Sequence, residues 1–336
     1  MKRTGTDSSP LVGVDIGTSA VKVVAFPRRR PPRWSVVPLP ENTVSEKQVQ
    51  RPEAVAGALR TALGELGRVP RRTALAVGGS AVMTREWRLP TGLDDELLEA
   101  RIREEAASAL PFDPDSVYLD FQVLGPDPED AGLQEVLLAA SRADQVDGRL
   151  AAVRKAGLHP VLVDLEPFAL EQAAARLTRQ GEAVALADLG ATSVTLALAA
   201  DGQGRFSRSQ ALSGTPLAAA MASARGSTRA ESEAALRQGE SPPEELLTPF
   251  VEALAAQLRR LLQLAEDRAE RTVDRLLIAG GGALTPGLLD GLREFLPQPV
   301  TLAHPLSRPG EESGGGLRQV EPALVVAAAL ARRRLP

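Results

Sequence analysis

The chain of 336 residues contains no cysteine, which excludes disulfides and thiolate metal sites. With only His159 and His304 among the imidazoles, a histidine-based zinc site lacks ligands as well. Aromatic residues make up 3% of the sequence, so the core has to be aliphatic. Neither sign of charge dominates: 39 Lys and Arg stand against 43 Asp and Glu, a net −4 that argues against an electrostatic nucleic-acid binder. No apolar run approaches the roughly 20 residues of a membrane span. The nearest, residues 323–331, is too short, and the N-terminal MKRTGTDSSP has no apolar signal segment. The expectation is a soluble cytoplasmic protein without nucleic-acid partners or a membrane span of its own, large enough for about two domains.

What the sequence does contain is one short pattern used twice, LVGVDIGTSAVKVVA at residues 11–25 and ALADLGATSVTLA at residues 185–197. Asp15 matches Asp188, Gly17 matches Gly190, Ser19 matches Thr192 and Val21 matches Val194. β-Branched runs around a Gly-containing turn predict two hairpins. A turn rich in Gly and Ser/Thr points backbone N–H groups and hydroxyls at one spot, which suits a phosphate. An Asp at the strand end suits hydrated Mg²⁺, which takes few carboxylates and several waters. A single Asp-x-Gly is equally a common hairpin turn; the matched repeat is what points to a nucleotide clamped between two half-molecules.

Further along, the spacing predicts a strand over residues 34–39 after a basic Pro-rich loop, a helix over 52–66 that starts at Pro52, and a buried strand over 73–77. Residues 87–164 read as a self-contained β–α–β–β–α–β unit, with helices over 93–110 and 143–156 and strands over 117–124, 135–140 and 158–163. A helix over 166–179 bridges to the second hairpin. A strand over 205–212, one helix over 216–238, a long helix over 249–271 and a strand over 275–279 follow. The remainder reads as a helix over 288–295, a strand over 300–302, a disordered loop over 308–316 and an apolar helix over 320–334. The strand over 275–279 runs into Gly280-Gly281-Gly282, whose missing side chains let backbone approach a flat ligand, although a Gly triplet alone is equally a plain loop.

In this order, phosphate hairpin, bridging helix, phosphate hairpin, helical segment and Gly-rich loop, the chain resembles the actin/Hsp70/sugar-kinase superfamily. In detail it is most similar to the PilM family of type IV pilus assembly, relatives of the division protein FtsA. The matching stretches are GVDIGTSAVKVV, RLP at 88–90, EEAASALPF at 104–112, AGLHPVLVDLEPFAL at 156–170, ADLGATSVTL at 187–196, FSRSQALSG at 206–214, IAGGGALTPGL at 278–288 and PALVVAAALARR at 322–333. The resemblance implies an α/β, actin-like (ribonuclease H-like, duplicated) two-domain ATPase fold with an FtsA/PilM-type α+β insertion subdomain. Residues 1–87, 164–180 and 320–336 would form the first domain, with 88–163 inserted. Residues 181–214 and 275–305 would form the second, completed by 215–274.

The resemblance also implies ATP and Mg²⁺ in the interdomain cleft. Asp15, Gly17, Thr18, Ser19 and Lys22 would form the first phosphate loop, and Asp188, Gly190, Thr192 and Ser193 the second. Asp15 and Asp188 would face the metal, while Gly214, Glu233, Gly281 and Gly282 would surround ribose and adenine. Glu166, with Asp164 as its neighbour, stands where relatives orient the attacking water; each is equally an ordinary helix-start carboxylate favoured by the helix dipole. Two departures from the family pattern are Ser213-Gly214 in place of a Gly pair, and Leu236-Arg237 where a Lys usually follows Glu233. They leave binding with slow or absent hydrolysis as the expectation. The implied role is a scaffold gripping the cytoplasmic tail of a PilN-like inner-membrane protein alongside other pilus assembly subunits, as a homo-oligomer or ring if it self-associates. An FtsA-like division protein and a small-molecule kinase are the competing readings.

Overall fold

The computed structural model describes residues 9–28, 30–79, 82–109, 113, 116–212, 216–306 and 320–334. Two five-stranded sheets repeat one topology. In the first, β1 (Val12–Ile16) pairs antiparallel with β2 (Ala20–Ala25), which pairs with β3 (Arg33–Pro38), while β6 (Arg72–Val77) lies parallel to β1 and β10 (His159–Leu165) parallel to β6. In the second, β11 (Ala183–Leu189), β12 (Ser193–Ala200) and β13 (Gln203–Ala211) repeat the meander, and β14 (Arg275–Ala279) and β15 (Val300–Leu302) repeat the parallel pair. β1 and β11 are covered on both faces, as near-continuous apolar strands at the centre of such sheets require.

One helix covers the outer face of each sheet. α1 (Pro52–Leu66) buries Val55, Leu59, Leu63 and Leu66 against the first and stops at Gly67, whose φ is +66°. α7 (Glu244–Ala269) does the same for the second through Leu254, Leu258, Leu261 and Leu262. The inner helices are exchanged between halves. α4 (Glu166–Leu177) follows the first sheet yet packs across β11, β12 and β13. α9 (Val325–Ala331), the last helix, packs on β1, β2 and β6. One apolar cluster, including Ala74, Leu170, Leu186, Ala197 and Val325, therefore joins the halves. All seven residues of α9 are buried, so it is core and presents no apolar stripe to solvent. Among the described residues no helix is long and apolar enough to cross a membrane.

A third sheet of β7 (Val82–Pro90), β9 (Leu133–Arg142) and β8 (Val117–Pro126) packs on α2 (Asp95–Ala109) around its own core of Leu98, Ile102, Val136 and Leu138. The expected six-element unit is smaller than its sequence pattern suggested. α3 (Ala143–Lys155) packs on α1, and β10 joins the first sheet, because their apolar faces complete that larger core. The single helix expected over 216–238 is two, α5 (Leu217–Arg225) and α6 (Arg229–Arg237). Gly226 takes a left-handed conformation that ends the first, and Thr228 with Glu231 forms a capping box that starts the second. α7 begins before Pro249 and runs through it, forgoing one intrahelical bond. Sequence patterning missed β4 (Val44–Ser45) and β5 (Gln48–Val49), a four-residue ladder too short for periodicity. α8 (Leu288–Phe295) agrees with expectation; the loop over 308–316 lies outside the described residues.

The close approach of α9 to β1 rests on Gly13. A Cβ there would fall 1.9 Å from the Ala327 carbonyl oxygen and 2.6 Å from the Ala331 nitrogen. Gly13→Ala is expected to destabilise the protein by about 3 kcal/mol in urea unfolding, the upper range for overpacking. A loss under about 0.5 kcal/mol would show that the helix yields easily.

Candidate functional site

The two repeated turns have the same hydrogen bonds. Gly17 N–H donates to Ala20 O at 3.0 Å and Gly190 N–H to Ser193 O at 2.8 Å. Leu39 N–H donates to Ser19 O at 3.0 Å, and Leu212 N–H to Thr192 O at 3.0 Å. Each meander thus holds its first turn through the end of its third strand. The turns face one cleft between the halves, lined by Asp15, Lys22, Lys47, Glu166, Asp188 and the glycine loop 280–282, with about 1290 Å³ of space continuous with solvent. That is room for a ligand of nucleotide size.

The cleft floor is a set of buried and half-buried charges. Lys22 Nζ donates to Asp15 Oδ2 at 2.8 Å. Burial would raise the Asp15 carboxyl, but Lys22, with Lys47 and Arg149 behind it, holds it below its ordinary value. Burial opposes the charged Lys22 and Lys47 too, yet the carboxylates around them, Asp15 for the first and Glu166 then Asp15 for the second, keep both raised. Asp188 differs, as it makes no ion pair among the described residues. Burial, incompletely offset by Lys22 and reinforced by Asp15, pushes its carboxyl up to about 6. A second cation near these carboxylates is what the arrangement favours.

Lys47, which sequence reasoning missed, sits at the tip of the β4–β5 hairpin. Glu46 and Lys47 both have positive φ, +48° and +65°, as a tight two-residue turn requires. Its Nζ donates to Glu166 Oε2 at 2.9 Å. The fully buried Arg149 of α3 holds the turn, donating to Lys47 O at 2.7 Å and to Ile16 O at 3.2 Å. Gly78 leaves room for Glu166, since a Cβ there would fall 2.4 Å from Oε2. Its one sequence signal is rarity, as Lys47 is one of four lysines in the chain.

Asp164 is not part of this group. It accepts from the Leu165 N–H at 2.8 Å and from Arg333 at 2.5 Å, tying the chain beyond α9 to β10. Asp164 lies within β10 and turns to Arg333, whereas Glu166 is the first residue of α4; the change from strand to helix after Leu165 re-aims its side chain, and of the two only Glu166 lines the cleft. Thr18, Ser19, Thr192 and Ser193 also line the cleft; Gly214 lies outside the described residues.

At the second half the glycines divide the work. Gly280, with φ +86°, passes so close to β11 that a Cβ would meet Leu189 O at 2.3 Å. A Cβ on Gly281 would meet nothing within 4 Å, although the residue lines the cleft, so its bare backbone is presented to the cavity. Beside it Leu217, Leu236, Phe250, Leu254 and Leu288 form an apolar slot edged by Glu233. Glu233 accepts from Arg229 Nε at 2.9 Å, and Arg237 stands 3.7 Å away. Across the cleft mouth, Glu41 of the first half accepts the Ala230 N–H of α6 at 2.9 Å. A flat apolar slot, bare glycine backbone and two hairpin turns beside paired cations fit a nucleotide, and two carboxylates facing one another fit Mg²⁺.

Among solved structures, the chain superposes on a PilM–PilN type IV pilus biogenesis complex with a TM-score of 0.80 and 28% identity, covering 96% of this chain and 98% of that one. It also shares its fold with the ethanolamine utilization protein EutJ of Carboxydothermus hydrogenoformans, TM-score 0.54 at 15% identity over 99% and 93% of the two chains. Residues 13–335 match the family model described as type IV pilus assembly protein PilM. With its actin-like fold and a match over nearly its whole length, the chain belongs to the PilM family of type IV pilus assembly proteins.

Proposed function

We propose that this chain is an actin-like scaffold of a type IV pilus assembly machine that binds Mg²⁺–ATP in its cleft and the cytoplasmic N-terminal tail of a PilN-like inner-membrane protein. The observation that carries the nucleotide half is the pair of equivalent turns, each with an aspartate, meeting at one cavity. The superposition on a PilM–PilN complex supports the partner half. Backbone N–H groups and hydroxyls of both turns would receive the phosphates, with Lys22 and Lys47 as countercharges. Asp15 and Asp188 would hold Mg²⁺ through its waters, and Gly281 and Gly282 would lie against the adenosine. Bound there, the ion neutralises phosphate charge. Glu166 is engaged by Lys47, which limits it as a proton acceptor and favours binding over rapid turnover. The protein would work on the cytoplasmic face of the inner membrane, brought there by its partner, with other assembly subunits or further copies of itself around it.

Titration calorimetry with ATP, with and without Mg²⁺, tests the first half, and capture by an immobilised tail peptide of the PilN-like protein tests the second. No heat and no capture would overturn the proposal.

Gly281→Ala puts a Cβ into the cavity with nothing within 4 Å of it, so melting temperature is expected to hold while ATP affinity falls at least about tenfold. Equal affinity would displace the nucleotide from this loop.

Asp188 makes the binding pH-dependent. Its carboxyl lies at about 6 in the folded protein against an ordinary 3.8. A carboxyl raised on folding contributes most stability when protonated and loses it as pH rises through 6. Asp188→Asn is therefore expected to melt higher than the parent at pH 7.5, with the gain vanishing near pH 4. Mg²⁺-dependent ATP affinity of the parent falls below pH 6, by at most about tenfold per pH unit. Affinity that stays flat between pH 5 and 8 would remove Asp188 from the metal site.

A further inference from the structure

At the end of the first sheet away from the cleft, Arg33, Ala25, Val12, Thr73 and Pro160 stand in one row across five strands. The segments that meet there are the β2–β3 loop, the α1–β6 loop, the α3–β10 turn and the chain just after α9. Their described residues include seven arginines and no carboxylate, and Arg33 and Arg72 at the adjoining strand ends add two more, in a protein whose net charge is −4. Arg28, Arg30, Arg68, Arg71 and Arg334 are exposed there and pair with no carboxylate among the described residues. The frame beneath them is fixed. Arg33 donates to Leu66 O at 2.6 Å, and Arg332 lies 3.8 Å over the Phe26 ring. Burial, together with the neighbouring Arg176 and only partly offset by Glu321, pushes Arg332 down to about 10.

The opposite sign collects elsewhere. Residues 82–142, which leave the first half from the cleft end of β6, hold fourteen Asp and Glu against five Arg. The molecule is therefore strongly polarised, basic at one pole and acidic in the inserted sheet. A flat anionic surface would attract the first and repel the second, fixing the orientation as well as the contact. Nucleic acid fits less well, because at the pole Phe26 is covered by Arg332 and Trp34 is half-buried in the same apolar cluster, so no Phe, Tyr or Trp among the described residues there offers an exposed stacking platform.

We propose that this arginine pole is a docking surface for anionic phospholipid headgroups, holding the chain against the inner leaflet with its inserted sheet turned away. The choice of a bilayer as partner rests on the reading that the protein works beside a membrane-anchored tail.

Flotation of the purified protein with vesicles tests it, comparing pure phosphatidylcholine with a mixture containing about one-quarter phosphatidylglycerol. Binding is expected on the mixture alone, and is lost between about 50 mM and about 500 mM salt. Reversing Arg28, Arg30, Arg68 and Arg71 to Glu is expected to lower the partition coefficient at least about a hundredfold, since each basic residue near such a surface contributes about fivefold. Reversing the exposed Arg205 and Arg260 should leave it unchanged, and both variants should keep the parent's melting temperature and tail-peptide capture. Should the quadruple variant fail to fold, Arg68→Glu alone should still lower the coefficient about fivefold. Equal binding to neutral vesicles, no binding to either, or salt-sensitive self-association or duplex DNA binding in place of vesicle binding would each overturn the proposal. Vesicle binding without tail capture would instead overturn the partner reading and leave the pole intact.

Discussion

The structure depends on a place where there is no side chain. Because Gly13 lacks a Cβ, the backbone of the last helix lies directly on the first strand, and the two halves share one apolar layer of mostly alanine, valine and leucine. Interiors pack near crystal density, so small side chains in that layer bring the sheets close and hold their strand ends opposite one another. Asp15 and Asp188 end the equivalent central strands of the two sheets. Their meeting at one cleft follows from how tightly the exchanged helices α4 and α9 fit between them.

Within that frame the cleft works by uneven charge pairing. Asp15 is satisfied by Lys22, and Glu166 by Lys47, whereas Asp188 is left with only distant compensation. A half-buried carboxylate without an ion-pair partner raises the free energy of the empty protein, and a divalent cation relieves it. Arg149 shows how far the first half goes to hold this arrangement. A fully buried guanidinium is spent on two backbone carbonyls, one at the end of β1 and one at the Lys47 turn, so that strand and hairpin move together.

Much of this was legible in the sequence, because the informative features are local. The repeated Asp-x-Gly turns announce two hairpins whatever surrounds them, and α1 has the boundaries its Pro52 start and leucine stripe predict. Features set by tertiary contact were hidden. Lys47 sits on a ladder of four residues, below any periodic signal, and its role arises from Glu166, 119 residues away. Asp164 and Glu166 look alike in one dimension but leave a strand–helix junction on different sides, one toward Arg333 and one toward the cavity. The inserted unit was overdrawn for the same reason. Nothing in the alternation of β10 says that its neighbour is β6, which lies more than 80 residues earlier. The break between α5 and α6 was the exception, a local signal of Gly226 and a capping box that the small-residue run obscured.

The exchanged last helix also bears on how the polypeptide matures. β1, β2 and β6 leave the ribosome well before α9, and the surface they offer to it stays bare until residues 325–331 emerge. The first sheet therefore waits, with an apolar face uncovered, while the whole of the second sheet and its helices is made. A chain truncated before residue 325 would keep that face permanently open, which makes premature termination a route to aggregation and not to a smaller folded protein.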